Sequence, residues 1–214
     1  MGIKRYTANA DTTITNAYKA NLNTRGTDAN MGLADSLEVF HIYGQESSSS
    51  AENSRVLIDF PVTTTITSDR SAGTIPASGS VSWFLRVHNV AHPSTLPRNY
   101  NMTILAVSSS WDEGTGMDME EYSDVGYANW SGSASSSSGI TAWTSLGGDY
   151  HASTTGSTAY FDDGTEDIEI DISHLVEEWV KGLSGGAKGN IYGVGIRMEN
   201  ESAFSSSYTK KFSA

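Results

Sequence analysis

Short apolar runs, each closed within a few residues by a break rich in Ser, Gly, Asn or Pro, recur along this chain and leave little room for anything but strands. Arg55-Val56-Leu57-Ile58-Asp59-Phe60 stops at Pro61. Val81-Ser82-Trp83-Phe84-Leu85-Arg86-Val87 follows Gly79-Ser80, and Met102-Thr103-Ile104-Leu105-Ala106-Val107 runs into a polar stretch. Asp167-Ile168-Glu169-Ile170-Asp171-Ile172 alternates charged and apolar residues, and Val194, Ile196 and Met198 alternate in the same way. That period of two marks strands with one buried face. A single helical pattern stands out. Ile172, Leu175, Val176 and Trp179 fall on one face and predict a helix over 173–181. Ser173 is placed to cap it, Gly182 to end it, and His174, Glu177 and Glu178 to face outward. The expected fold is all-β: an antiparallel β-sandwich or jelly roll with one short helix. Leu57, Phe60, Phe84, Leu105, Trp111, Ile170, Leu175 and Trp179 are its expected core.

The 214 residues show no internal repeat and no firm boundary, which reads as one sandwich domain over 1–214. Within it lies a long loop region, about 112–166, rich in Ser, Gly and aromatics. The chain has no cysteine, so disulfides, thiolate metal sites and cysteine nucleophiles are excluded. Its net charge of −12 argues against nucleic acid, which calls for clustered Lys and Arg. The first ten residues carry Lys4 and Arg5 but lack the apolar stretch of a signal peptide. No run approaches the roughly 18 apolar residues of a membrane span, so membrane insertion is not expected.

Several constellations could carry chemistry, and each has a plainer reading. Trp111-Asp112-Glu113-Gly114 sets two carboxylates beside a ring. A glycosidase pair must straddle a bond, with carboxyls about 5–10 Å apart, and neighbours at a strand end point to different sides. These two serve poorly as such a pair. Asp162-Asp163-Gly164 with Glu166 and Asp167 lacks the ligand spacing of a calcium loop and reads as a turn between strands. His41, His88, His92, His151 and His174 show no ligand-like spacing. Gly-x-Ser-x-Gly in a strand–turn–helix context and a phosphate-binding loop are both absent. No catalytic residue, metal site or cofactor is therefore expected.

The stretch from 117 to 160 differs, since Tyr122, Tyr127, Trp130, Trp143, Tyr150 and Tyr160 stand there among Ser, Gly and Asp. Rings stack on the CH faces of sugars, and rings also anchor long loops. Tyr127, Trp130, Trp143 and Tyr150 are the glycan-binding candidates, with Trp130 and Trp143 first because they flank the Ser/Gly run.

The order of these pieces resembles a known family. Ala10-Asp11-Thr12-Thr13-Ile14 comes first, then Asn30-Met31-Gly32 with Leu37-Glu38-Val39, the strand 55–60, and the strand around 83–87. Val107-Ser108-Ser109-Ser110-Trp111-Asp112-Glu113-Gly114 follows, then Ile170-Asp171-Ile172 leading into Leu175-Val176-Glu177-Glu178-Trp179, then Tyr192-Gly193-Val194. The set is similar to the DNRLRE family, the disaggregatase-related β-sandwich domain of extracellular and surface proteins. Arg5-Tyr6-Thr7-Ala8, Leu37-Glu38-Val39-Phe40, Ile42-Tyr43-Gly44-Gln45 and Tyr208-Thr209-Lys210-Lys211-Phe212 further resemble virion structural proteins of tailed phages from marine bacteria.

The resemblance implies a non-catalytic virion structural protein, a capsid decoration or a tail or fibre appendage, located on the virion or an extracellular surface. Its implied partners are further copies of itself or other virion proteins. The alternative is an extracellular carbohydrate-binding or adhesion module whose partner is a surface glycan. The DNRLRE pattern also closes with a strand entered through a proline, which is missing after Phe212. Either the natural chain continues or a neighbour supplies the strand. An open sheet edge and an oligomeric or aggregation-prone chain are then expected.

Overall fold

The computed structural model describes residues 2–91, 97–121, 127–136, 139–152, 156–182, 192–202 and 207–214. The strands are β1 (Ala10–Thr15), β2 (Ser36–Tyr43), β3 (Ala51–Asp59), β4 (Phe84–Val87), β5 (Tyr100–Ala106), β6 (Gly132–Ser136), β7 (Gly139–Ala142), β8 (Ser157–Phe161), β9 (Ile168–Asp171), β10 (Val194–Met198) and β11 (Tyr208–Ser213). The helices are α1 (Thr67–Ser71), entered through a wide helical turn over Val62–Ile66, and α2 (Ser173–Val180). No helix among the described residues is long and apolar enough to cross a membrane.

All pairing is antiparallel. The main sheet has seven strands in the order β11-β2-β3-β10-β5-β8, with β1 on β3. β3 is its hub. β2 takes its first residues, β1 runs beside it from Ser54 to Asp59, and β10 pairs at Val56, Leu57 and Ile58. Alternation decides which side chains enter the core. Val194, Ile196 and Met198 of β10 point inward, while Gly195 and Arg197 face the outside of the sheet.

A smaller sheet, β4–β9, lies across the core, and residues 88–90 carry the β4 chain onward to β11. There Val90 N–H donates to Lys211 O at 3.0 Å and Ser213 N–H to His88 O at 3.0 Å. At the other end of the main sheet, β8 meets β9, where Ser157 Oγ donates to Asp171 O. The two sheets thus curl round one core, an all-β sandwich as the sequence pattern predicts. Leu175, Val176 and Trp179 of α2 fill it together with Val62 and Ile66. Arg70 reaches from α1 to Glu177 with bidentate bonds of 3.1 and 2.7 Å, and Glu177 also accepts from the Trp83 indole at 2.8 Å. These contacts pull Glu177 inward from its expected outward position.

Other expectations shift in detail. Leu57, Leu105, Leu175 and Trp179 are buried as expected, whereas Phe60, Trp111 and Ile170 are only partly so. Phe84 is 59% exposed, and Leu85 and Val87 take the inner face of β4. Strand parity explains this, since Arg86 must face water and Phe84 lies on its side. Ser173 does not cap α2. The Asp171 carboxylate accepts the Ser173 N–H at 2.7 Å, and the Ser173 hydroxyl accepts Trp83 N–H at 2.7 Å.

The helical stretch over 62–71 was not anticipated, because Thr- and Ile-rich runs favour strands. The segment before Ala214 also differs from expectation. Tyr208–Ser213 is itself a strand, with one edge on β2 and the other on 88–90. The edge inferred to be open from the family pattern is therefore occupied by this segment.

Candidate functional site

The loop region folds back onto the outer face of the main sheet and builds a second, smaller core there. Ile14 of β1, Leu57 of β3 and Val107 supply its floor; Ala128, Trp130 and Trp143 cover it, with Trp111, Tyr150 and Tyr192 at its margin. Polar ties fix the rings. The Trp143 indole donates to Asn129 O at 2.8 Å and the Trp111 indole to Tyr192 O at 2.9 Å. Trp130 and Trp143 are each 6% exposed. Their faces are covered by protein, so these first-choice glycan candidates serve as anchors for the loop. Tyr122 lies outside the described residues. Tyr127 is 37% exposed and stands apart from the cleft described next.

Tyr150 is the candidate that borders open space. Its ring lies flat on the outside of β10 over Gly195, where any Cβ would collide with it. Its hydroxyl donates to Gly147 O at 2.9 Å, and burial pushes its pKa up to about 12 against the opposing charge of Arg55. Beside it opens a cleft of about 500 Å³, whose polar lining includes Ser108, Ser109, Thr144, Asp149, Arg55 and Arg197.

Asp149 and Arg55 are already committed. Asp149 accepts from the Ser109 hydroxyl at 3.0 Å and from Thr144 and Ser145 N–H at 2.9 Å each. Burial opposes its ionisation, yet those donors hold its pKa below the usual range. Arg55 is paired bidentately with Glu201 at 2.9 and 2.6 Å, and its guanidinium sits 4.9 Å from the centre of the Trp130 ring. Arg197 differs. Its Nε is buried without a hydrogen-bond partner, and among the described residues it pairs with no carboxylate. It packs 5.9 Å from the centre of Tyr150 and lines the cleft. Neither arginine was a sequence-level candidate, although each sits two residues from an outward-facing position of its strand.

The Trp-Asp-Glu-Gly corner serves architecture. Glu113 Oε1 accepts Asp11 N–H at 2.8 Å, and Asp112 exchanges backbone bonds with Ser133 and Ala128. Burial, and then the facing Glu113 charge, raise the Asp11 pKa. Asn30 clamps the corner from the other side. Its Nδ2 donates to Glu113 O at 2.7 Å and Ala128 O at 2.9 Å, and its Oδ1 accepts Gly116 N–H at 2.8 Å and Gly32 N–H at 3.2 Å. Gly32 has to be Gly, since a Cβ there would strike the Glu113 carbonyl. These contacts give Asn30-Met31-Gly32 a physical role.

In the acidic turn at 162–167, Glu166 Oε1 accepts Asp162 and Asp163 N–H at 2.8 and 2.7 Å. His92 lies outside the described residues, and no group of three or more potential metal ligands converges among the described ones. Comparisons with family models, with curated proteins and with solved structures each return no match.

Proposed function

We propose that this chain is a non-catalytic structural module of a phage virion, a capsid decoration or a tail or fibre appendage, whose partners are copies of itself or other virion proteins. The observation that carries this reading is the commitment of the loop aromatics. Trp130 and Trp143 fasten a long loop region to the sheet, and the Trp-Asp-Glu-Gly corner is tied up in backbone bonds. The segments on which the virion resemblance rests are built into the fold. Residues 37–43 and 208–212 pair as β2 and β11, and Tyr6 bonds Asp69 at 2.7 Å. Leu33, Phe84, Met117 and Leu146 stand exposed as contact points for neighbours.

An antiserum against the chain tests the reading. In a density gradient of purified phage, the signal is expected to band with infectious particles. A signal confined to the soluble fractions would overturn the proposal.

The cleft beside Tyr150 favours a second reading, an adhesion module for surface glycans. Arg197 and the surrounding hydroxyls suit a sugar bearing a carboxylate. Retardation in gels containing acidic polysaccharide, lost in Arg197→Ala, would support it. Equal mobility with and without the polysaccharide would reject it.

A further inference from the structure

Lys210 is 0% exposed, an unusual place for an ammonium group. Strand parity puts it there. It lies two residues from Phe212 on the inner face of β11, and Phe212 is bridged to Asn89 on the neighbouring strand. Lys210 and Asn89 are therefore diagonal neighbours on the same inward face. The Lys210 Nζ donates to Asn89 Oδ1 at 2.6 Å and to Gly164 O at 2.8 Å. Aromatic rings wall the pocket, with Phe161 centred 5.0 Å and Phe212 5.6 Å from Nζ.

Among the described residues, two acceptors leave one of the three ammonium donors without a partner. Among the described residues, two more buried polar atoms lack a hydrogen bond, Glu166 Oε2 and the hydroxyl of Tyr100, whose ring stacks on Phe161 at 4.9 Å. The Glu166 charge acts on both Lys210 and Tyr100. Burial pulls the Lys210 pKa down to about 8, against the opposing charges of Glu166 and Asp167. A substantial fraction of Nζ is then the nucleophilic free base at mildly alkaline pH. Backbone N–H groups lower the Glu166 pKa against its burial, so the group stands as a carboxylate whose charge counters that of Lys210.

We propose that Lys210 and Asn89 form an intramolecular isopeptide bond, promoted by the nearby charge of Glu166. The Lys210 Nζ attacks the side-chain carbonyl carbon of Asn89. The Nζ–Cγ bond forms, the Cγ–Nδ2 bond breaks, and its electron pair leaves with Nδ2 as ammonia. The proton shed by Nζ passes to the departing nitrogen, and the Glu166 charge favours the cation at each stage. Ammonium and amide become a secondary amide and an ammonium ion, with no oxidant or cofactor. The product ties β11 to the 88–90 strap and so staples the curl shut. In a chain without cysteine this linkage takes the place of a disulfide.

Intact-protein mass spectrometry tests the proposal. The purified chain is expected about 17 Da lighter than its sequence mass, the loss of one ammonia. Fragmentation is expected to show a branched peptide pair joining Lys210 and Asn89. Asn89→Ala and Glu166→Gln are expected to keep the β circular dichroism of the parent and to show their full masses. Asn89 is only partly buried, so its Ala variant remains informative even where Lys210→Met does not fold. Full mass in the parent after prolonged incubation at mildly alkaline pH would overturn the proposal. A mass deficit that persists in Asn89→Ala would also overturn it.

Discussion

Replacing Asn30 with Ala is expected to loosen the whole outer layer. Asn30 is 0% exposed and makes four hydrogen bonds, three of which join the 30–32 turn to the backbone of Glu113, Gly116 and Ala128 while the fourth closes the turn on Gly32. Net contributions of about 1 kcal/mol per bond give roughly 4 kcal/mol for the set. Water entering the vacated space lowers this, while groups left dry raise it. A cost of about 3–5 kcal/mol is a large part of a total stability on the order of 5–15 kcal/mol. Urea unfolding followed by tryptophan fluorescence reads it, because Trp111, Trp130 and Trp143 all lie in this layer.

Asn30→Asp supplies a sharper version of the test. It keeps the acceptor for Gly32 and Gly116 but turns a carboxylate toward the Glu113 and Ala128 carbonyls. The new carboxyl pKa is raised in the folded state, so the Asp variant is expected to recover stability as pH falls through that raised value. Loss of under 1 kcal/mol in the Ala variant, or an Asp variant insensitive to acid, would refute the reasoning.

Three further outcomes are expected. The Glu177 pKa is lowered to about 2, first by the Arg70 hydrogen bonds and then, against the opposing effect of burial, by Trp83. The stability it contributes is present above the unfolded carboxyl pKa and is lost as pH falls toward 2. With solvent screening allowed for, Glu177→Gln removes about 2 kcal/mol at neutral pH, and its unfolding midpoint is expected to change less than the parent's between pH 4.5 and 2. Trp179→Ala empties the centre of the main core and is expected to cost about 3–5 kcal/mol in chemical denaturation. Gly195→Ala drives a methyl group into the Tyr150 ring and is expected to cost about 1–3 kcal/mol, with an altered near-ultraviolet signal.

Much of the fold was legible because its signals are local. The short apolar runs at 55–60 and 102–107 and the period-two run at 167–172 fall on β3, β5 and β9, and the helical face of 172–179 forms α2 within a residue of its expected end. What was not legible depends on distant partners. Val62–Ser71 becomes helical because Val62 and Ile66 find the core, not because Thr favours helix. Trp130 and Trp143 sit in a stretch with loop composition, and only the outer face of β1 and β3 buries them. The cleft rests on Arg55 and Arg197, which come from strands far apart in sequence, and of the aromatic candidates only Tyr150 borders it. Lys210 reads as a surface charge until Asn89 and Gly164 arrive beside it from far along the chain.

The central claim is that the chain is a structural component of a virion. A cryo-electron microscopy reconstruction of the purified particle tests this most directly. The account expects symmetry-related density at the particle surface that accepts the curled seven-stranded sheet, with α2 inside and the aromatic loop layer outside. A complete reconstruction in which every surface density is explained by other chains, from particles whose peptide digest contains none of this sequence, would contradict it.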